Sequence, residues 1–469
     1  MPPLQLKHWQ QIVTSDTAAP PKYSLEARID RLPFSSWHLR VGMVIGSGWF
    51  FDAFDALAIA YVLPVLISVW GLTPGEVGVV ISIGYAGQAI GSIFFGWLGE
   101  RAGRVPCAQY TLLIFSIMSL ACAFAPNYFP LLAMRFIQGL GLGGEIPIMA
   151  TYISEIAPAR HRARFSLGYQ FFFAVGLVVV AFVGTRVVPA FGWRWMFAIG
   201  ALPALLVLPL RRLLVESPRW LASRNRLKEA DQVLTTIEDL VSRHQTKPLP
   251  PAPENMPPTQ PSATRLADLF KGIYLRRTLC VWFLWLATNI VNYGLITWMP
   301  SVWRTIYHLP VRQSLDYGFI TTAVGLAGTV SALLLLDIVG RKPMFTLGLL
   351  LCAVPLLVLA GKPGLEPSRV LALICVCFVC NAVPAFSLST YTAEIYPTPL
   401  RALGTGIGNA WLRFAALAVP LIIGWMLPLW GMGSVFLLMG LCSLAGGVVC
   451  WLFAVETRGR PLEQLSPSI

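Results

Sequence analysis

The chain has 469 residues, of which 56% are hydrophobic and only 12% are charged, and its mean hydropathy is positive. Soluble, disordered and fibrous classes do not combine these values, whereas a polytopic membrane protein does. The formal net charge of +13 could suggest nucleic acid, but the basic residues concentrate beside apolar runs. We therefore predict an all-α membrane protein that binds no nucleic acid.

Twelve apolar spans follow one another along the chain, and each has about the length of a membrane helix. Most of the 35 Lys and Arg residues lie in the segments on one side of these spans. By the positive-inside rule, both termini are then cytoplasmic. The spans lie near residues 41–69, 77–99, 106–125, 129–153, 165–188, 194–214, 278–303, 314–339, 343–361, 369–393, 402–428 and 432–455.

These spans predict two six-helix bundles with cytoplasmic segments around them. In the leading segment, SLEARIDRLPFSSWHLR reads as a short amphipathic helix on the inner membrane surface, broken at Pro33. The middle segment combines charged helices with a proline-rich, extended linker at 247–263. The parts are residues 1–40 (N-terminal segment), 41–214 (first bundle), 215–277 (helices and linker), 278–455 (second bundle) and 456–469 (tail).

The two bundles are copies of each other. YISEIAPARHRA matches YTAEIYPTPLRA, which aligns Glu155 with Glu394, and LGERAGR, ending at Arg104, matches LDIVGR, ending at Arg341. VESPR after the sixth span matches VETRG after the twelfth. Three motifs that recur in the same order indicate a parallel repeat of six spans, which is the major-facilitator arrangement.

Further motifs carry a family resemblance. GWLGERAGR resembles the major facilitator signature between spans 2 and 3, with Glu100 replacing the usual Asp, and RFIQG from Arg135 resembles the span-4 signature. ESPR and ETRGRPLE resemble the sugar-porter and organic-ion branch. GWFFDAFDALAIAYVLP, GLGGEIP and NYGLITWMP are similar to the bacterial niacin permease and aromatic-acid:proton symporter group, which is related to organic cation/anion transporters and synaptic vesicle glycoproteins. The resemblance implies secondary transport. The sugar-porter glutamine pair of span 7 is absent, which disfavours a sugar.

Two carboxylates interrupt the first apolar run. Asp52 and Asp55 are three residues apart, or about 60° around a helix, and therefore share one face. Each costs about 2.5–3.5 kcal/mol at the bilayer centre, so this face should line a protein-bounded or watery cavity. Either the pair is protonatable and lines a solute pathway, or neighbouring hydroxyls and amides satisfy it and it fixes the helix.

Arg413 lies inside the eleventh span, about 16 Å of helix rise from the predicted inner surface. Its repeat equivalent is Ala174, so the repeat itself does not need this charge. A guanidinium stays charged, and its fork fits a carboxylate. We expect Arg413 to bind a substrate carboxylate; the alternative is an internal ion pair with Asp52 or Glu145.

The fourth span contains two more ionisable residues. Arg135 lies at the depth of Asp55, so we expect an ion pair, which could be structural, and Glu145 lies closer to the depth of Asp52. Buried carboxyl groups near one another are suited to hold a proton. Asp52, Asp55 and Glu145, with Arg135 beside them, are therefore the predicted proton-coupling residues. The GLGLGG sequence of this span indicates close helix packing and not a dinucleotide site, because no βαβ unit surrounds it.

Amides and aromatic rings inside the spans complete the predicted substrate site. They could contact a planar ligand, or they could serve interhelical hydrogen bonding and ordinary packing. The predicted substrate-binding residues are Arg413, Asn289, Asn292, Tyr293, Trp298, Gln170, Asn409 and Trp411.

Acidic and basic residues recur at matching positions at the inner ends of the spans. We expect them to bridge span ends and to latch these ends together when the cavity opens outward, because alternating access needs a bistable element. The alternative is simple anchoring by positive charge. The predicted gating residues are Glu100, Arg101, Arg104, Glu155 and Arg162 in the first bundle and Asp337, Arg341, Glu394 and Arg401 in the second.

These residues and the resemblance together predict a multi-pass, monomeric transporter, with the bacterial inner membrane favoured. It imports a small aromatic or heteroaromatic carboxylate, nicotinate being favoured, together with a proton. One alternative is an organic-cation transporter in which the acidic trio faces the ligand, and another is a non-transporting receptor or docking protein on the same fold. The sequence contains no Walker A, HExxH or GxSxG motif, so we expect no enzyme, cofactor or metal.

Overall fold

The computed structural model describes residues 25–158, 162–206, 214–242, 249–250, 266–362 and 364–458. Regular secondary structure in these ranges is helical, with 3-10 turns at Leu202–Leu206 and Leu266–Phe270. The helices are α1 (Leu25–Asp30), α2 (Ser36–Trp70), α3 (Pro74–Ala102), α4 (Arg104–Ala123), α5 (Tyr128–Ile156), α6 (Arg162–Phe191), α7 (Arg194–Gly200), α8 (Pro218–Ser223), α9 (Leu227–Ser242), α10 (Ile273–Thr305), α11 (Val311–Val339), α12 (Arg341–Gly361), α13 (Pro367–Ile395) and α14 (Thr398–Phe453).

Within the described ranges, nine helices are long and apolar enough to cross a membrane. One of them, Leu403–Phe453 within α14, is kinked at Gly431, where a φ of 71° interrupts the helical backbone. Helix α5 is also 29 residues long but carries Arg135 and Glu145. The chain is therefore an all-helical, multi-pass bundle. The twelve-span count and the cytoplasmic termini remain predictions, because residues 207–213 at the end of predicted span 6 lie outside the described part.

Two helices begin before the apolar runs that predicted them. Helix α2 begins at Ser36 and α10 at Ile273, so each includes charged residues that the predicted spans left out. A helix satisfies its own backbone hydrogen bonds and has no physical reason to end where the apolar run ends. The proline-rich linker predicted at 247–263 lies outside the described residues except at 249–250.

The leading segment forms the helix α1, which packs against α9. Helix α1 has its apolar residues Ala27 and Ile29 buried in protein. Arg28 donates from Nε to Glu238 of α9 at 3.0 Å, and Arg31 donates to the same carboxylate at 2.7 Å. Acidic residues on α9 therefore bind Arg28 of α1 and the following Arg31 and hold this segment against protein, and its position on the inner membrane surface stays a prediction.

Close helix packing through the GLGLGG segment is confirmed. Gly139 lies against the carbonyl oxygen of Gly84, and Gly143 lies against that of Gln88. Any side chain at these two positions would collide with the α3 backbone, so glycine allows α5 to approach α3 more closely than larger residues could. This contact brings the polar side chains of α3 and α5 towards α2.

The two halves of the bundle, α2–α7 and α10–α14, meet along a seam between α3 and α14. A Cβ on Gly78 would lie 2.6 Å from the carbonyl oxygen of Pro420, and a Cβ on Gly424 would lie 2.6 Å from that of Pro74. The two helices therefore run antiparallel with reciprocal Pro-x-x-x-Gly contacts. Ser82 continues the seam inward by donating to the Leu417 carbonyl at 2.7 Å. This seam lies in the predicted outer half of the bundle.

Candidate functional site

A buried ion pair joins α2 to α5 near the middle of the first half. Arg135 Nη1 donates to both carboxylate oxygens of Asp55, at 3.0 and 2.9 Å, and to Gln138 Oε1 at 2.9 Å. Gln138 Nε2 in turn donates to Asp55 Oδ1 at 2.7 Å. The ionic side chains are only 4% and 3% exposed. Since each charge is matched and hydrogen-bonded, this cluster is suited to holding α2 and α5 together.

The two other acids are arranged differently. Asp52 and Glu145 are 6% and 9% exposed, and neither has an ion-pair or hydrogen-bond partner in the part of the chain that the structure describes. The Glu145 carboxylate lies directly against Gly48 of α2, where a side chain would occupy its place. Asp52 interacts electrostatically with Arg413 and Asp55, and Glu145 interacts with Asp52. These are buried acids without a fixed counter-ion, an arrangement that favours proton uptake and release.

Arg413 projects from α14 towards the first half. Its Nη1 donates to Oε1 of Gln88 on α3, and within the described ranges it forms no ion pair with a carboxylate. Gln88 is buried, whereas Arg413 is only half-buried. The guanidinium is thus held by a neutral amide, and the acid that acts on it electrostatically, Asp52, makes no ion-pair contact with it.

Two tyrosines lie beside this contact. Tyr85 is one helical turn before Gln88 on α3, and its ring meets Tyr293 of α10 edge-on at 5.3 Å and 75°. Tyr85 is buried and Tyr293 half-buried. The ring pair bridges the two halves on the predicted outer side of Arg413, so a ligand at Arg413 would have aromatic surface next to it.

The predicted amide contacts are placed unevenly. Asn289 is buried and donates to the Trp285 carbonyl of its own helix at 2.7 Å. Asn292 is half-buried on the same helix, and Asn409 is exposed and donates to Thr405 at 3.1 Å. The side chain of Gln170 lies outside the described part. Asn292 therefore remains the most accessible amide near Tyr293.

The two predicted tryptophans do not line the Arg413 contact. Trp411 packs against Trp282 at 5.9 Å and against Phe414 at 5.8 Å, and Phe414 is 53% exposed on the bundle surface. Trp298 is buried in the apolar core where α10 meets the first half. Both tryptophans therefore fit the alternative interpretation, in which they pack against other side chains and do not contact the ligand.

The predicted gating residues of the first half gather at one end of the bundle, here called the inner end. Arg104 Nη2 contacts Glu155 Oε1 and Glu100 Oε1, both at 2.9 Å. Glu216 accepts hydrogen bonds from the backbone N–H of Arg104 at 3.1 Å and of Val105 at 3.3 Å. It therefore caps the start of α4. Burial raises the pKa of Glu216, although these backbone hydrogen bonds partly oppose the rise.

The second half repeats this arrangement. Arg341 contacts Glu394 at 3.0 Å and Asp337 at 2.7 Å, and Glu456 caps the start of α12 at the Arg341 N–H, at 3.1 Å. Gly103 and Gly340 precede the two capped helices with φ of 106° and 109°, and a Cβ on either would collide with the capping carboxylate. All these contacts stay within one half.

Two predicted gating residues, Arg101 and Arg401, form no ion pair with these clusters in the part of the chain that the structure describes. Arg101 lies over the Trp97 ring with its guanidinium carbon 4.2 Å from the centroid. Arg401 has a buried Nε without a hydrogen-bond partner among the described residues. The side chain of Arg162 lies outside the described part.

Sequence reasoning missed Gln88, Gln138 and the capping role of the aligned pair Glu216 and Glu456. The glutamines carried a usable signal, because an amide within an apolar span needs a polar partner. The partner itself could not be read from the sequence, since it lies on another helix.

The geometry defines a class of protein. A multi-pass bundle of two repeated halves, with ionisable side chains inside its spans and an arginine that contacts the opposite half, is the architecture of a secondary transporter. The sequence pattern described as sugar (and other) transporter matches residues 44–468. The chain therefore belongs to this family of the major facilitator superfamily, whose members are transporters and not enzymes, and the family resemblance is confirmed.

Relatives agree with this assignment. The chain is 36% identical over 442 residues to a niacin transporter, NiaP, of Acinetobacter baylyi, covering 94% of this chain and 99% of the relative. It is 26% identical to the organic cation/carnitine transporter 7 of Arabidopsis thaliana, covering 94% and 96%. Among solved structures, the xylose transporter XylE of E. coli superposes with a TM-score of 0.71 at 21% identity, covering 91% of this chain and 100% of that one. The last comparison shows the fold alone.

Proposed function

We propose that the protein imports a small aromatic or heteroaromatic carboxylate, with nicotinate favoured, by proton symport. The observation that carries this proposal is the state of Arg413. Its guanidinium donates to the neutral amide of Gln88 and to no carboxylate in the described ranges. A half-buried guanidinium without an ion-pair contact can bind an anionic ligand directly, and a carboxylate matches its fork. The likeness to a niacin transporter supports the same substrate class.

Protons are carried by Asp52 and Glu145 in this proposal. Neither acid has a basic partner within 4 Å among the described residues, whereas Asp55 is held by Arg135 and Gln138. A proton on Asp52 would remove a negative charge that competes with the substrate for Arg413. Proton binding and anion binding would thereby favour each other, which is the requirement for symport.

The inner end of the bundle faces the cytoplasm in this proposal, and the membrane is a bacterial inner membrane. The basic segments support this orientation through the positive-inside rule. In this proposal the contacts along the seam between α3 and α14 keep the outer side closed, and the central charges would be reached from the cytoplasm. In the outward-open state, the Arg104 and Arg341 clusters would contact the opposite half, and they contact only their own half here.

Uptake into proteoliposomes tests the proposal. Labelled nicotinate should accumulate when the outside is acidic, and Arg413→Gln should abolish this accumulation. Arg369→Gln is the matched control, because Arg369 is exposed and pairs only loosely with Glu366 at 3.7 Å. Full accumulation by Arg413→Gln would refute the assignment of Arg413 to the substrate carboxylate.

An organic cation is the second candidate, and the unpartnered Asp52 and Glu145 favour it because two buried acids could bind a positive charge. A competition assay distinguishes an anion transporter from a cation transporter. For an anion transporter, benzoate should block nicotinate uptake and a quaternary amine should not. The reverse result would identify a cation transporter. A receptor without transport activity would bind nicotinate but show no flux into the proteoliposomes.

A further inference from the structure

The contact between Gln88 and Arg413 is the innermost of a series along the α3–α14 seam. From the predicted outer end inward, Pro74 lies against Gly424, Gly78 against Pro420, and Ser82 against Leu417. Gln88 and Arg413 come next in the same antiparallel register. This hydrogen bond therefore joins the two halves at the point where the closed seam ends and the central site begins.

The chemistry of Gln88 is that of a neutral stand-in for a carboxylate. An amide oxygen accepts a hydrogen bond from a guanidinium as a carboxylate oxygen does, but without the charge that would make the contact difficult to displace. A glutamate at this position would neutralise Arg413 permanently. A residue without an acceptor would leave the guanidinium unheld in the empty site.

We propose that Gln88 is a positioning residue that holds Arg413 in the empty transporter and yields it to the substrate carboxylate. Substrate binding thereby breaks the innermost hydrogen bond of the seam and loosens the outer closure. The inference rests on the proposed function for the identity of the ligand. The contact between the halves does not depend on that identity and can be tested without substrate.

Binding of nicotinate to purified protein in nanodiscs is the first measurement. Gln88→Ala removes the competing acceptor, so the dissociation constant should fall about tenfold, the lower value for one hydrogen bond from a charged donor. Gln88→Glu places a carboxylate on Arg413, so the dissociation constant should rise about tenfold or more. In an Arg413→Gln background, the Gln88→Ala change should no longer raise the affinity, because no guanidinium remains for the substrate to gain from Gln88. Equal affinities for wild type and both Gln88 variants would overturn the inference.

Hydrogen exchange without substrate is the second measurement. Residues 71–82, at the outer end of α3, should exchange faster in Gln88→Ala, because the seam loses its inner hydrogen bond. They should exchange more slowly in Gln88→Glu, because an ion pair replaces that bond. Gln313→Ala is the matched control and should leave this segment unchanged, because Gln313 is an exposed glutamine on α11 that donates to Tyr317 of the same helix.

The two measurements separate the failure of the inference from the failure of the proposed function. If wild type binds no carboxylate but residues 71–82 respond as expected, the substrate class is wrong and the positioning role of Gln88 stands. If wild type binds nicotinate but both Gln88 variants leave affinity and exchange unchanged, the substrate class stands and the positioning role is wrong.

Discussion

Replacing Asp55 with asparagine should destabilise the protein much more than replacing Glu145 with glutamine. Both acids are buried inside spans, but only Asp55 has a cation within ion-pair distance among the described residues. Asp55→Asn leaves Arg135, whose side chain is 4% exposed, as an uncompensated buried charge. Breaking a buried pair in this way costs about 3–5 kcal/mol. Glu145→Gln removes an unpaired buried charge, so we expect a change of about 1 kcal/mol or less, or a stabilisation.

Denaturant unfolding of the purified protein in one detergent measures these free-energy differences. A double-mutant cycle adds Arg135→Gln alone and with Asp55→Asn. The double variant should be no less stable than the worse single variant, so the coupling free energy should be at least as large as the smaller single loss, about 3 kcal/mol. Similar losses for Asp55→Asn and Glu145→Gln, or additive losses in the cycle, would refute the distinction between a structural pair and a proton carrier.

Three further predictions concern other parts of the bundle. Gly103→Ala and Gly340→Ala should each cost about 1–3 kcal/mol and lower the melting temperature, because positive φ and the capping carboxylate leave no place for Cβ; unchanged melting would contradict this. Although burial opposes ionisation, hydrogen bonds from the α1 arginines lower the pKa of Glu238 overall. Helix α1 should thus stay docked above the ordinary glutamate pKa of about 4.3 and undock as the pH falls through the lowered pKa of Glu238. Arg28→Ala should undock α1 even at pH 7. Hydrogen exchange of residues 25–32 measures both effects. Gly78→Leu should reduce uptake about tenfold, because its side chain blocks the α3–α14 seam, and normal uptake would argue against closure there.

The repeated parts of the fold could be predicted from the sequence because both halves carry the same motifs. Alignment of Glu155 with Glu394 and of Arg104 with Arg341 predicted two matching clusters, and the structure brings these residues together. The depth of Arg135 and Asp55 along their helices likewise predicted their contact. Such predictions succeed when position along a helix alone decides which side chains meet.

Contacts that depend on helix rotation and on the fit between the halves could not be predicted. Trp411 and Arg413 are two residues apart on α14, yet Trp411 packs against Trp282 and Arg413 reaches Gln88. Residues two apart on a helix point about 160° apart or more, so only one of them can face the centre. Which one does so is decided by packing against other helices, and the sequence of α14 does not record this.

The charged residues near the centre of the bundle are not repeated in the other half, unlike the clusters at the inner end. By the alignment of the repeats, the equivalents of Arg135, Glu145 and Arg413 are Ile374, Pro384 and Ala174. A six-helix bundle of this kind therefore folds without these charges, as the opposite half shows in each case. The duplicated clusters serve what both halves do, which is to fix the helix ends within each half. Of these unduplicated charges, Arg135 pairs with Asp55 inside the first half, whereas Arg413 reaches across the interface to Gln88. The proposed role of Arg413 in binding a solute carboxylate is therefore one that only the assembled interface can serve.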